Sequence, residues 1–214
     1  MARRATRPQP KRDQDWSPFA RILQNLVDAT PGALGAALVD NDGEAVDYAG
    51  VLDAFDVKIA AAHLQLELRT AAETISNWSG PVRQLVVRAT KRSFAIRVLD
   101  DGYHLVVVMG RCAGFGISPR AISQAEYDLR AEAGWNPPRE AERWVHARVE
   151  HVPGDRRRPR RVQLWDVWYR VEVIGSLVGL GRGERGYRVR TTAGAELTLV
   201  RERLGRWYAE ARVC

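Results

Sequence analysis

The apolar pattern of this chain changes in kind near Trp135, and that change constrains its fold more than any single motif. Upstream, stretches of helical period alternate with stretches of period two; downstream, short period-two pieces remain, cut by Gly, Pro and Asp. Charge shifts at the same place: residues 1–15 carry a net +3, residues 16–135 a net −3 and residues 136–214 a net +7. A chain of 214 residues makes one large domain or two small ones, and the coincident shifts predict a boundary. The expected organisation is a disordered basic arm over 1–15, an α+β domain over 16–135, a linker over 136–143 and a small all-β, barrel-like domain over 144–214.

Within 16–135 the order of elements can be read from caps, periods and turns. Ser17-Pro18 is an N-cap and first-turn signature, and Phe19, Ile22, Leu23, Leu26 and Val27 then share one helical face until Thr30-Pro31-Gly32 stops it. ALGAALVD and EAVDYAG are two β-prone runs joined by the tight turn Asn41-Asp42-Gly43. A long helix is expected over about 54–78, with Val57, Ala61, Leu64, Leu68, Ala71, Ile75 and Trp78 as its core stripe. A second stripe, Phe55, Ile59, Ala62 and Leu66, lies beside the first, so the helix is either deeply buried or packs against another chain.

VRQLVVRAT, SFAIRVLD and YHLVVVMG follow as three antiparallel strands, with turns at Lys91-Arg92 and Asp100-Asp101-Gly102. Ser118-Pro119 opens a third helix, stapled by Ile117 against Ile122 and stopped at Gly134. Helix, two strands, helix, three strands, helix is an α+β layout, in which helices cover one five-stranded antiparallel sheet. Downstream, WVHARVEH, RRVQLW, VWYRVEVIG, GYRVRTT, AELTLVR and RWYAEARV read as short strands of a small barrel or sandwich.

The residues offer little to an enzyme. Cys112 and Cys214 stand alone, which argues against a disulfide framework or a structural zinc, and no metal or cofactor is expected. His63, His104, His146 and His151 are scattered, and no G-x-S-x-G or H-E-x-x-H occurs. Gly181-x-Gly183-x-x-Gly186 is followed by a strand pattern, whereas a dinucleotide loop needs a helix there, so it reads as a loop. Asp40-Asn41-Asp42-Gly43 lacks the spacing of a calcium loop. The longest apolar run, LVVVM, is far too short to span a bilayer, and the N-terminus lacks the apolar run of a secretory signal; a cytoplasmic protein is expected.

Pro31-Gly32, Gly35, the Asp40-Asn41-Asp42-Gly43 turn and the later LDDGYHLVVVMG hairpin, set in this order of elements, resemble the roadblock family of dynein light chain-like domains over about residues 16–134. The resemblance implies a five-stranded sheet covered by helices, and a non-enzymatic homodimer that pairs through the second helix and an edge strand. It implies a small Ras-like GTPase, or another roadblock-like protein, as partner; similar bacterial proteins regulate GTPases of cell polarity and motility. Ile59, Ala62 and Leu66, flanked by Lys58, Gln65 and Arg69, would then lie at the dimer or partner surface. The C-terminal part, with its W-Y-R-V core and terminal G-R-W-Y strand, is similar to a small bacterial β-domain family, which implies a fold and no activity.

One feature points elsewhere. Arg156, Arg157, Arg158, Arg160 and Arg161 are expected in a loop leading into a strand, with Trp165, Trp168 and Tyr169 close behind. Clustered guanidiniums attract phosphates and aromatics stack on unpaired bases, so an alternative function is nucleic-acid binding through the C-terminal domain, with the N-terminal domain for dimerisation. Otherwise Trp168 and Tyr169 belong to the barrel core and the arginines form a solvated turn.

Overall fold

The computed structural model describes residues 12–99, 102–111, 113, 118–135 and 144–210, without the side chain of Arg156. The Ile117 staple, the Asp100-Asp101 turn, both cysteines, the 136–143 linker and most of the basic arm lie outside the described residues. The chain divides into two compact units, residues 1–117 with 128–137, and residues 118–127 with 138–214.

In the first unit, α1 (Pro18–Ala29) begins where Ser17 Oγ accepts the Ala20 N–H at 3.0 Å, and it buries Ala20, Leu23, Leu26 and Val27. β1 (Ala33–Val39) and β2 (Ala45–Gly50) form the expected hairpin. Its turn is closed by Asp40, whose Oδ1 accepts the N–H groups of Asp42 at 3.0 Å and Glu44 at 2.9 Å. α2 (Ala54–Ser79) starts at the Asp53 cap and ends at Gly80, whose φ of 80° continues no helix. β3 (Gln84–Arg88), β4 (Arg92–Val98) and β5 (His104–Gly110) complete a sheet of order β2-β1-β5-β4-β3, antiparallel throughout.

β1 and β5 lie side by side at the centre and are apolar on both faces, because helices cover both. One face, with Ala37, Val39, Tyr48, Ile96, Val106 and Val108, receives Val57, Ala61, Leu64 and Leu68 of α2. The expected α2 core stripe therefore holds through Leu68, whereas Trp78 at its far end is 79% exposed. Gly50 is required where β2 leaves the sheet. Its φ is 125°, and a Cβ there would sit 2.5 Å from Gly35 Cα and from the Leu34 carbonyl oxygen.

α3 (Pro119–Ala133) starts at Ser118, whose Oγ accepts the Ala121 N–H at 3.0 Å. In the second unit, β6 (Trp144–Val152), β7 (Asp155–Leu164), β8 (Val167–Ser176), β9 (Arg185–Thr191), β10 (Glu196–Arg201) and β11 (Trp207–Glu210) close into a barrel of order β10-β11-β6-β7-β8-β9. Its interior is filled by Ala147, Val162, Leu164, Val171, Val189, Leu199, Trp207 and Ala209. Outside, Tyr208 is buried and its hydroxyl accepts a hydrogen bond from Ser118 Oγ at 2.9 Å. Arg120 pairs with Glu184 at 2.7 Å and Glu202 at 3.3 Å, and stacks on Trp144 at 4.7 Å.

The arginine run is not in a loop. Residues 156–161 lie inside β7, which starts at Asp155 and pairs with β6 and β8. The alternation that marks a strand fails here for a physical reason: the register slips between Glu150 and His151, so that Glu150 faces Arg161 and His151 faces Pro159, skipping Arg160. Pro159 is buried where a periodic sequence would carry an aliphatic residue. The β7–β8 turn also departs from type, with Trp165 at φ 47° and Asp166 at φ 68° in a two-residue loop that normally takes Asn-Gly.

Candidate protein-interaction surfaces

α2 is a 26-residue helix, about 39 Å long at 1.5 Å per residue, docked through its first half on the sheet. The residues of its second stripe fall to solvent: Phe55 is 68% exposed, Ile59 41% and Leu66 56%, with Ala62 half-buried. At spacings of four, three and four these residues share one face. This face is apolar and exposed on a helix that already has its core contacts.

The polar residues expected to flank it do other work within the domain. Gln65 is buried and donates through Nε2 to the Asn41 carbonyl at 2.8 Å, and Arg69 Nη2 donates to the same oxygen at 3.1 Å, so both brace the β1–β2 turn against α2. Lys58 Nζ pairs with Asp13 at 2.7 Å and lies 5.4 Å from the Tyr48 ring centroid. The structure thus brings Phe55, Ile59, Ala62 and Leu66 together as a surface, and ties Lys58, Gln65 and Arg69 to neighbouring backbone and side chains. Phe55 extends the surface by one turn; its place in the second stripe was the signal for it.

The segment before α1 is held down as well. Arg12 Nη2 pairs with the buried Asp47 at 2.5 Å, and its guanidinium lies between Trp16 and Tyr48, at 4.7 and 4.5 Å from their ring centroids. Arg12 also donates to the Tyr48 carbonyl, Ser17 Oγ to Asp47, and the Tyr48 hydroxyl to Asp13. The Lys58 ammonium and the Tyr48 hydroxyl hold the Asp13 carboxyl below its ordinary range, while burial pushes the Tyr48 hydroxyl up. Sequence reading assigned residues 12–15 to a free arm, because a clasp between a terminus and a strand 35 residues away leaves no local period.

On the barrel, Arg157, Arg158 and Arg160 are exposed, Arg161 is half-buried and pairs with Glu150 at 3.1 Å, and Trp165 is 61% exposed at the β7–β8 turn. Arg161 stacks on Trp168 at 4.9 Å, and Tyr169 packs partly against the barrel core. The G-x-G-x-x-G stretch forms a turn, Glu184 N–H to the Gly181 carbonyl at 3.0 Å, and runs into β9. Among the described residues no group of three or more His, Cys, Asp or Glu is placed to hold a metal, and no helix is long and apolar enough to cross a membrane.

A family model, that of the Roadblock/LC7 domain, matches residues 20–109, the stretch that runs from α1 into β5. This segment is similar to a Roadblock/LC7 domain. Solved structures similar to this chain include a Roadblock/LC7 domain from Streptomyces avermitilis, at 20% identity and TM-score 0.46, covering 54% of this chain and 97% of that one. Myxococcus xanthus MglB is similar at 17% identity and TM-score 0.47, over 56% of this chain and 98% of that one. MglC from Myxococcus xanthus is similar at 26% identity and TM-score 0.41, over 54% and 99%. No curated protein sequence matches the chain. The Roadblock/LC7 match ends before α3, so the barrel stands outside it.

Proposed function

We propose that this chain is a non-enzymatic, cytoplasmic scaffold that dimerises through its Roadblock/LC7-like domain and binds a small Ras-like GTPase. The observation that carries the reading is the apolar face of α2, Phe55, Ile59 and Leu66, exposed on a domain similar to a family whose members typically pair and present a platform to GTPases. Burying such a face gains roughly 25 cal/mol per Å² of apolar surface, which gives two copies a reason to associate. The regulatory mechanism is differential affinity: a platform that fits one switch conformation of the GTPase better than the other shifts the partner toward that conformation. No arginine of this chain needs to enter the partner's active centre for this to work.

The test is a pull-down with the full-length protein from nuclease-treated lysate of the source organism, loaded with GDP or with a non-hydrolysable GTP analogue. A small GTPase retained in one nucleotide state and released in the other is the expected result. Retention of no GTPase in either state overturns the partner assignment.

A further inference from the structure

We propose that the outer face of β6, β7 and β8 binds a single strand of nucleic acid, with arginines on its phosphates and Trp165 and Trp168 stacked on its bases. The strand register defines this face. Val149, Val162 and Tyr169 are paired across the three strands and pack toward the barrel core. The intervening rows therefore point outward: Arg148, Gln163 and Trp168 in one, Glu150, Arg161 and Arg170 in the next.

Arginines outnumber their ion pairs on this face, in contrast to the Arg188 and Arg190 pair of β9. On β9 and β10, Arg188 and Arg190 are both held by Glu196, at 3.1 and 2.8 Å. On β6–β8 the one ion pair is Arg161 with Glu150; among the described residues Arg148, Arg157, Arg158, Arg160 and Arg170 make none. Rows about 6.8 Å apart on strands about 4.8 Å apart set Arg148, Arg161 and Arg170 near one another, and the exposed Arg157, Arg158 and Arg160 follow on β7 beyond the register slip, together a cationic surface for a polyanion.

The aromatics choose which polyanion. Trp165 occupies a left-handed backbone position where glycine would sit without strain, and the turn displays its indole to solvent. Trp168 lies in the outward row with the Arg161 guanidinium already on its ring. An exposed indole at the turn and a half-buried one in the outward row, beside guanidiniums without ion pairs, match bases and phosphates that alternate along one strand, and a duplex would keep its bases out of reach. Asp166 at the tip, next to Trp165, opposes insertion into an anionic bilayer.

The experiment is fluorescence anisotropy of the full-length protein with a labelled oligothymidylate of about 20 nucleotides, long enough to cross one small barrel. Affinity should fall with salt at a log–log slope of about −0.7 for each phosphate contact. Arg158→Gln with Arg170→Gln should make that slope shallower by about 1.4. Trp165→Gly, which the positive φ favours, should weaken binding by roughly fivefold or more without changing the slope. Arg190→Gln, in the pair with Glu196, should change neither, and far-ultraviolet circular dichroism confirms that each variant is folded. Absence of saturable binding at about 50 mM salt, or binding that survives both the arginine and the tryptophan changes, overturns the proposal. So does equal affinity for the corresponding duplex, or Trp165-dependent capture by vesicles of phosphatidylcholine and phosphatidylserine.

Discussion

At the scale of single residues, the first unit carries several polar groups in places where they must be satisfied internally. Asp47 is buried and answers Arg12, Ser17 and the Tyr48 N–H, the last at 2.7 Å. His104 is different: it is buried at the start of β5, with Nδ1 unpartnered. Burial lowers its pKa, the Arg69 charge adds to that, and a hydrogen bond with the Asp40 backbone opposes it in part. The unfolded chain takes up this proton near the ordinary histidine value of about 6.5, the native chain at lower pH. Between the two the unfolded state holds more protons, so stability is full above about pH 6.5 and falls as the pH drops, by at most about 1.4 kcal/mol per pH unit for one proton. His104→Gln should flatten the decline of the melting temperature between about pH 6.5 and 5. Burial lowers His146 and His151 in the same direction, so part of the decline should remain. A melting profile with the same pH dependence as the unaltered protein would show that His104 takes up its proton in the fold as it does in the unfolded chain.

At the scale of elements, α2 is where sequence and structure agree best and where the surface prediction belongs. Its two stripes were legible because 26 residues give period 3.6 room to declare itself, and Val57, Ala61, Leu64 and Leu68 went to the core as their spacing required. What spacing could not give is the fate of Lys58, Gln65 and Arg69, since their partners Asp13 and Asn41 arrive from other elements. Leu66→Arg puts a charge on the exposed face and touches no core side chain. Light scattering should therefore read about twice 24.0 kDa for the unaltered protein and 24.0 kDa for the variant, with an unchanged melting temperature. An unchanged mass would remove α2 from the dimer surface. β7 was the least legible element: a register slip, a buried proline and arginines on solvated positions erase the alternation by which strands are recognised.

At the scale of the whole molecule, element order was readable almost throughout, because caps and turns mark boundaries wherever the chain must reverse. The allotment of residues 118–127 to the second unit was not, since a helix of uniform pattern gives no sign of which residues it serves. The two sheets differ in one more respect. The barrel is closed and offers no free edge, whereas the first sheet ends at β2 and β3. At β2 the Tyr48 N–H is taken by its own neighbour Asp47 and the Tyr48 carbonyl by Arg12, so backbone groups that a visiting strand would use are occupied. β3 is the opposite edge of that sheet. In the language of polymer chemistry the domain is a monofunctional unit: two copies joined at β3 would cap each other, and a strand-by-strand filament would stop at its first link.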